Sequence, residues 1–318
     1  NSGSIQDKNI SGLASLSAKL LNEGTKELGN LKFADELESN AISLHTSNGF
    51  ETFVIELSSL KDVRLKGIDL LSQLLKSPNY DNATVDKLKT IQIGSLKRKE
   101  NDFDYIAKIE LKKDLFKDTP LENPSSGTIE SINSINLDDI KDFVNENIIL
   151  ENLIIVAGGD ITFKELKKEI LPILKNLNSG IKKDLEKFSI VTKPSEKITT
   201  KKTEQAYIYF GSPFDINPQD ENVYIAKVAS FILGGSGFGS RLMEEIRVKR
   251  GLAYSAYGLV SINKTYSYFT GYLQTKLEST QEAKKLVSQI VNEFVKNGVT
   301  KKELEGAKKF LSGSEPLR

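Results

Sequence analysis

Apolar residues recur at helical spacing near the start of the chain, in the stretch GLASLSAKLLNEGT (12–25). Leu13, Leu16 and Leu20 form an apolar stripe, and Gly24 stands where a C-terminal helix cap is expected. The pattern therefore predicts an amphipathic helix. A second stripe of the same helix carries small or polar side chains, namely Ser15, Ala18 and Lys19.

A strand pattern followed by a helix pattern occurs twice in the chain. FVIELSSLKDVRLKGIDLLSQLL (53–75) and FTGYLQTKLESTQEAKKLVSQIV (269–291) each alternate as a strand, pass through a polar turn and continue as an amphipathic helix. Their matching positions differ by 216 residues, and TVDKLK (84–89) meets TKKELE (300–305) at the same offset. This internal repeat predicts two copies of one α+β unit.

The stretch between the two copies predicts a domain boundary. The first copy ends with a predicted strand, NLIIVAGGDI (152–161), and a predicted helix. The following residues are polar and rich in lysine, serine and threonine, which is typical of a linker. We therefore predict an N-terminal domain at 1–183, a linker at 184–197 and a C-terminal domain at 198–318.

Composition limits the possible functions. The formal net charge is +1, which gives no general attraction to nucleic acid or to an anionic membrane. The chain has no cysteine and a single histidine, His45, which we expect to be an ordinary strand or loop residue. Zinc sites take most of their ligands from cysteine, histidine and carboxylates. The sequence therefore lacks the ligands of an ordinary zinc site.

Three groups of residues are candidates for chemistry. The loop GGSGFGS (234–240) either cradles a phosphate or, as its position after a helix pattern favours, forms a turn between helices. Ser15 and Lys19 are spaced as a nucleophile and base, although a solvated polar face is the simpler interpretation. Arg247 and Tyr254 flank a predicted helix-to-strand turn. They either converge on an oxyanion or peptide carbonyl, or Arg247 only complements the helix dipole.

The segment LGGSGFGSRLMEEIRVKRGLAYSAYG (233–258) resembles the second-domain motif of the pitrilysin/insulinase family of zinc peptidases, which includes the mitochondrial processing peptidase. The resemblance extends over essentially the whole chain. The family's first strands and last helices have no counterpart in this sequence. It implies two similar α+β domains, each a mostly antiparallel sheet with helices packed on one face, facing each other like a clam shell.

The same resemblance explains the polar stripe of the first helix. In active members this helix carries an inverted zinc motif, HxxEH. Here Ser15 and Lys19 occupy the two histidine positions and Ala18 that of the glutamate. The family's third ligand, a glutamate, falls in a region that reads TIQIGSLK (90–97) and has no carboxylate. The resemblance thus implies a degenerate site that holds no metal, with zinc only in a partner subunit.

The resemblance also implies a function for the second domain. Arg247 and Tyr254 match the family's pair that binds the substrate carbonyl opposite the zinc, and the loop glycines would line the substrate chamber. These glycines are Gly234, Gly235, Gly237 and Gly239. The chain would be the zinc-free, substrate-binding subunit of a two-chain peptidase, inactive alone.

The expected partners are peptide substrates and a homologous HxxEH subunit, or a second copy in a homodimer. Neither nucleic acid nor a membrane is expected. A catalytically inert peptide-binding or structural protein and a self-sufficient peptidase with an unusual metal site are the alternatives. We expect a cytoplasmic location. A periplasmic one stays open because the chain begins without an initiator methionine and resembles a trimmed fragment.

Overall fold

A computed structural model describes residues 2–182 and 184–314. Its helices are α1 (Leu13–Leu21), α2 (Gly29–Glu38), α3 (Arg64–Lys76), α4 (Asn82–Lys99), α5 (Phe103–Leu115), α6 (Ile129–Ser134), α7 (Leu137–Asn147), α8 (Phe163–Leu174), α9 (Val223–Ser230), α10 (Thr280–Asn297) and α11 (Lys301–Ser314). The strands are β1 (Ser43–Asn48), β2 (Phe53–Ser58), β3 (Gln205–Pro213), β4 (Ala253–Ile262) and β5 (Ser267–Lys276). Within the described ranges, no helix is both long and apolar enough to cross a membrane.

The chain forms two compact units. The first comprises Asn1–Glu100 and Asn123–Leu185, and the second Asn101–Glu122 and Glu186–Arg318. The second unit thus includes α5, which precedes the predicted linker in sequence. No helix or strand occurs in the described linker residues 184–197. The amide of Val191 in this stretch donates to the carbonyl of Leu115 at 2.9 Å, which ties it to the end of α5.

The first unit packs its helices around α1. The apolar stripe of α1 is buried as its pattern predicts, and α4, α6 and α7 supply the opposing apolar side chains. The largest fully buried members of this core are Leu16, Leu20, Ile132, Ile135 and Ile140. Strands β1 and β2 form an antiparallel pair in which Ser43 lies opposite Ser58. His45 is an exposed residue of β1.

The second unit is built on a three-stranded antiparallel sheet with the order β3-β5-β4. One set of its side chains packs against α10 and the segment before β4, with Leu273, Ile246 and Leu242 fully buried. Helix α5 packs on β3, where the Tyr209 hydroxyl donates to the Asp104 carboxylate at 3.2 Å. The antiparallel sheets and packed helices confirm the predicted α+β class.

The repeat predicted from the sequence is present in the structure. Strand β2 is followed by a 3-10 turn at Lys61–Val63 and then by α3. Strand β5 is followed by a 3-10 turn at Leu277–Ser279 and then by α10, each starting at the same 216-residue offset. The two copies therefore share their local geometry as well as their polarity pattern.

One prediction of local structure is wrong, and two predicted helices are present with wider turns than a regular α-helix. Residues 153–158 are apolar and were expected to form a strand, but they have no regular structure, and Ile154 and Val156 are 82% and 89% exposed. A strand needs a hydrogen-bonded neighbour, and no described strand pairs with this segment. The helix expected before β4 is π-helical at Met243–Val248, and the helix before the glycine loop widens in the same way at Phe231–Gly235.

Candidate functional site

The first candidate site lies on α1, and the start of that helix is firmly held. Gly12 caps it with a positive φ of 94°. The carboxylate of Asp7 accepts hydrogen bonds from the amides of Gly12 at 2.8 Å and Ala14 at 2.7 Å. Burial raises the pKa of Asp7 to about 7, against the opposing effect of these two hydrogen bonds. Asp7 therefore fixes the first turn of the helix from a nearly water-free position.

Lys19 is held by an internal chain of hydrogen bonds. Its ammonium donates to the side-chain carbonyl of Gln92 in α4, and the Gln92 amide donates to the carbonyl of Ser126 at 2.7 Å. Gln92 is only 5% exposed. Burial is the main cause that lowers the pKa of Lys19, and repulsion by Lys99 adds to it. The contact links α1, α4 and the loop before α6.

This arrangement corrects the expectation of a solvated polar face. Ala18 is 2% exposed, and Ser15 and Lys19 are half-buried, because α4 packs against this side of α1. Gln92 was not predicted because the resemblance calls for a carboxylate within 90–97 and glutamine carries none. A polar residue spaced four from Leu88 and Leu96 on the buried face of α4 was the available signal.

The residues matched to the zinc motif do not fit a zinc ion. Ser15, Ala18 and Lys19, and the Gln92 that contacts Lys19, offer neither an imidazole nor a carboxylate, and the ammonium of Lys19 places a positive charge among them. Across residues 2–182 and 184–314, no group of three or more His, Cys, Asp or Glu side chains is arranged to hold a metal.

The second candidate site is the turn into β4. Arg247 is the fifth residue of the π-helical segment Met243–Val248, and Tyr254 is the second residue of β4. The turn between them closes at Gly251, which has a φ of 62° and donates its amide to the carbonyl of Arg247 at 2.9 Å. The guanidinium carbon of Arg247 lies 4.8 Å from the centroid of the Tyr254 ring. The structure thus brings the predicted pair together.

A residue that the sequence did not single out completes this cluster. The guanidinium carbon of Arg247 also lies 4.8 Å from the centroid of the Phe238 ring. Phe238 and Tyr254 are 67% and 75% exposed. The available signal was an aromatic residue between two glycines in an otherwise polar loop, which is an unusual place for a large apolar side chain.

The guanidinium of Arg247 keeps its hydrogen-bonding capacity unused. Within the part of the chain that the structure describes, its side chain makes neither a hydrogen bond nor an ion pair. The neighbouring cations differ, because Lys249 and Arg250 both pair with Glu245, at 2.5 and 2.7 Å. A forked donor with no internal partner is suited to an oxygen of a bound molecule.

The loop glycines have different structural roles. A Cβ on Gly234 would lie 2.2 Å from the amide nitrogen of Gly258, so Gly234 allows the π-helical segment to approach β4. Gly235 is less crowded, with Ser230 its nearest neighbour at 3.3 Å. Gly237 and Gly239 have positive φ values of 66° and 97° in open space.

An ion pair fixes the helix that follows this loop. Arg241 donates from Nε and Nη2 to the two carboxylate oxygens of Glu303 in α11, at 2.5 and 2.8 Å. Its Nη2 also donates to the carbonyl of Gly298 at 2.7 Å. The guanidinium of Arg241 lowers the pKa of Glu303 to about 2. The helix that follows the loop is therefore tied to the start of α11.

The duplicated α+β unit and the Arg/Tyr pair in its second copy define a metallopeptidase-type protein. Its first helix keeps the frame of the inverted zinc motif, but the matched positions Ser15, Ala18 and Lys19 carry none of the motif's residues. Residues 1–129 match the family described as Insulinase (Peptidase family M16), and residues 134–311 match the Peptidase M16 inactive domain. The chain belongs to the M16 family, as a member that lacks HxxEH, and the resemblance seen in the sequence is confirmed.

Similar proteins occur in several bacteria. The chain is 47% identical to "Non-peptidase homolog YmxG" of Helicobacter pylori, over 99% of this chain and 73% of that protein. It is 28% identical to "Uncharacterized zinc protease YmxG" of Bacillus subtilis, over 78% of this chain but only 59% of that protein. A solved peptidase M16 inactive domain from Pseudomonas fluorescens has a TM-score of 0.90 and 28% identity, over 99% of this chain and 77% of that one.

Proposed function

We propose that this chain is the zinc-free subunit of a two-chain M16 peptidase and supplies Arg247 and Tyr254 to a homologous partner that carries HxxEH. The observation that carries the proposal is the Arg247 guanidinium, which is stacked on Tyr254 and has no polar partner among the described residues. On α1, by contrast, the ammonium of Lys19 already donates to Gln92 within the protein.

The chemistry of the pair suits amide hydrolysis. The scissile carbonyl oxygen becomes negative as the tetrahedral intermediate forms, and fixed donors aimed at that oxygen stabilise the transition state. Arg247 is a permanent cation with a forked set of donors, and the Tyr254 hydroxyl is a neutral donor. The metal and the attacking water would both come from the partner. The two side chains of this subunit would bind and polarise the carbonyl.

The position of Tyr254 also suits an extended peptide. Strand β4 pairs only with β5 among the described strands, so it is an edge of its sheet. A peptide that adds to an exposed edge is held by main-chain hydrogen bonds and lies beside the side chains of that strand. Near Gly258 and Val260 this edge is covered, because Gly234 approaches the Gly258 amide and the Val260 amide donates to the Ser230 hydroxyl at 2.9 Å. Peptides and unfolded segments are therefore the proposed substrates, and a strand added to the first residues of β4 would run past Tyr254.

Relatives support the idea of a multi-subunit assembly. The chain is 23% identical to "Mitochondrial-processing peptidase subunit beta" of Dictyostelium discoideum, over 98% of this chain and 69% of that protein. It is also 27% identical to "Cytochrome b-c1 complex subunit 1, mitochondrial" of Saccharomyces cerevisiae, over 62% of this chain and 43% of that protein. Both names describe subunits, and we propose a heterodimer for this chain by analogy.

A second candidate function is an inert peptide-binding member of the family. The observation in its favour is the name of the Helicobacter pylori relative, which calls that protein a non-peptidase homologue. In this case Arg247 and Tyr254 would hold a peptide without any hydrolysis, or would have no ligand at all.

Reconstitution distinguishes these functions. The full chain, an HxxEH-bearing M16 protein from the same genome, and their mixture are each assayed with a fluorogenic peptide. We expect cleavage by the mixture only. An HxxEH protein that is equally active with and without this chain would support the inert function. Peptidase activity together with stoichiometric zinc in this chain alone would contradict both proposals and indicate an unusual metal site.

A further inference from the structure

Phe238 stands out because a large ring is exposed in a polar loop. It is flanked by Gly237 and Gly239, both with positive φ, a conformation that side-chain-bearing residues rarely adopt. Nothing fills the space where their Cβ atoms would be, so backbone conformation and not crowding requires glycine at these two positions. The glycine loop is therefore shaped to present the single residue between them.

The far end of the loop is pinned. The amide and the hydroxyl of Ser240 both donate to the carbonyl of Gly237, at 3.0 and 2.7 Å, and Ser240 is fully buried. This closes a tight turn around Phe238 and Gly239. The exposed ring of Phe238 is thus held on a fixed turn next to Arg247, and is not merely a side chain on a long free loop.

The guanidinium of Arg247 contacts the faces of two rings. Its Cζ atom is 4.8 Å from the centroids of both Phe238 and Tyr254, and these two rings are not themselves a contacting pair. A cation is attracted to the face of an aromatic ring, and a planar guanidinium stacks well on it. Contact with a second ring restricts the long arginine side chain while leaving its N–H groups unpaired.

We propose that Phe238 is a positioning residue that holds the Arg247 guanidinium in place for the substrate carbonyl, and that the glycine loop exists to present it. The inference rests on the proposed function, in which Arg247 binds that carbonyl. Phe238 acts through Arg247 and forms no bond to the reacting atoms. Fixing the donor before the substrate arrives removes the cost of ordering it during the reaction.

The position of Phe238 next to the Arg247 guanidinium is tested first by NMR on the full chain alone. The chain has six arginines, so the NMR signals of their Nε–Hε groups can be resolved in a sample that is isotopically labelled on arginine. The signal that disappears in Arg247→Lys is that of Arg247. Aromatic rings stacked on the guanidinium shift this signal upfield. We expect Phe238→Leu to lose part of the shift and Phe238→Tyr to keep it. An unchanged signal in Phe238→Leu would overturn the proposal.

The role of Phe238 in turnover is tested in the reconstituted peptidase with the fluorogenic peptide. Phe238→Leu should lower kcat about 3- to 30-fold, the range expected for losing one cation–π contact, with little change in KM. Phe238→Tyr should restore kcat, and Phe238→Leu should add nothing to Arg247→Ala. Phe163→Leu, which changes an exposed phenylalanine of α8, is the matched control and should have the same kcat and KM as the original protein.

The two proposals fail in different ways. If Arg247→Ala has full activity, the proposed function is wrong. If Arg247→Ala is impaired while Phe238→Leu is fully active, the proposed function stands and the role of Phe238 is wrong. An equal additional loss from Phe238→Leu in the Arg247→Ala background would also overturn the role, because the ring would then act independently of the guanidinium.

Discussion

The two candidate sites each contain a cation, and the two cations are used differently. The ammonium of Lys19 donates to Gln92, whose amide in turn donates to the carbonyl of Ser126. Among the described residues, the guanidinium of Arg247 contacts the ring faces of Phe238 and Tyr254 and has no polar partner. The first cation donates to the protein and is part of its packing. The whole forked set of donors of the second cation stays available to a ligand.

The same contrast appears in the elements that carry the sites. The 216-residue offset of the repeat places α1 opposite the end of α9 and the π-helical segment Phe231–Gly235. In the first copy this element is a regular helix, capped by Gly12 and buried on most sides. In the second copy it widens and opens into the glycine loop. Wider helical turns are frequent at functional sites, whereas a well-packed regular helix is typical of a structural role.

The difference between the two sites is tested most strongly by removing each cation in the reconstituted peptidase. Arg247→Ala should lower kcat about 10²–10³-fold, the usual cost of losing one donor to a developing oxyanion. Lys19→Met should leave kcat unchanged at temperatures where the variant is folded. Equal losses in the two variants, or a loss in Lys19→Met alone, would contradict the assignment of an open and a closed site.

The second prediction concerns the anchor of the closed site. The pKa of Asp7 is raised from 3.8 to about 7 in the folded protein, so the folded state binds the proton more tightly than the unfolded state. The free energy of unfolding should therefore fall as pH rises from about 4 to about 7, by about 2–4 kcal/mol. Asp7→Asn should lack this slope, which denaturant unfolding at several pH values will measure.

A parallel slope in Asp7→Asn and in the original protein would show that another group causes the pH dependence. Asp138→Asn is the matched control, because Asp138 is an exposed aspartate whose side chain pairs with Lys141 near the start of α7. Its substitution should leave the pH dependence unchanged.

The third prediction concerns the contact between Lys19 and Gln92. Lys19→Met leaves the buried Gln92 carbonyl oxygen without its donor, which should lower the free energy of unfolding by about 1–3 kcal/mol. Lys32→Met, at an exposed position of α2, is the control and should change it by less than about 0.5 kcal/mol. In a double-mutant cycle with Gln92→Leu, the two losses should be less than additive. Strict additivity would show that the contact contributes nothing.

Much of the fold could be predicted because it follows from local periodicity. The stripe of Leu16 and Leu20 is buried, and the strand–turn–helix repeat recurs at its predicted offset. The pairing of Arg247 with Tyr254 was also accessible, since a tight turn joins the two elements that carry them. Periodicity carries no information on which strand a segment pairs with. It therefore predicts a strand at 153–158 although no described strand pairs with this segment.

The unpredicted parts of both sites are tertiary or conformational. Lys19 meets Gln92 across 73 residues of sequence through the packing of two helices, and no local pattern reports such a contact. Phe238 reaches Arg247 because of backbone torsions at two glycines, which spacing alone does not specify. The π-helical widening is likewise invisible to a pattern that assumes regular helix geometry.

The lysine on α1 has a consequence for evolution. A histidine newly acquired at position 15, or a carboxylate acquired within 90–97, would still meet the ammonium of Lys19 at the place where a divalent cation has to sit. No such single exchange yields a metal ligand set, and replacing Lys19 first removes a buried contact before anything is gained. The acquisition of a metal site on this helix would therefore require several coordinated changes, with the replacement of Lys19 among them.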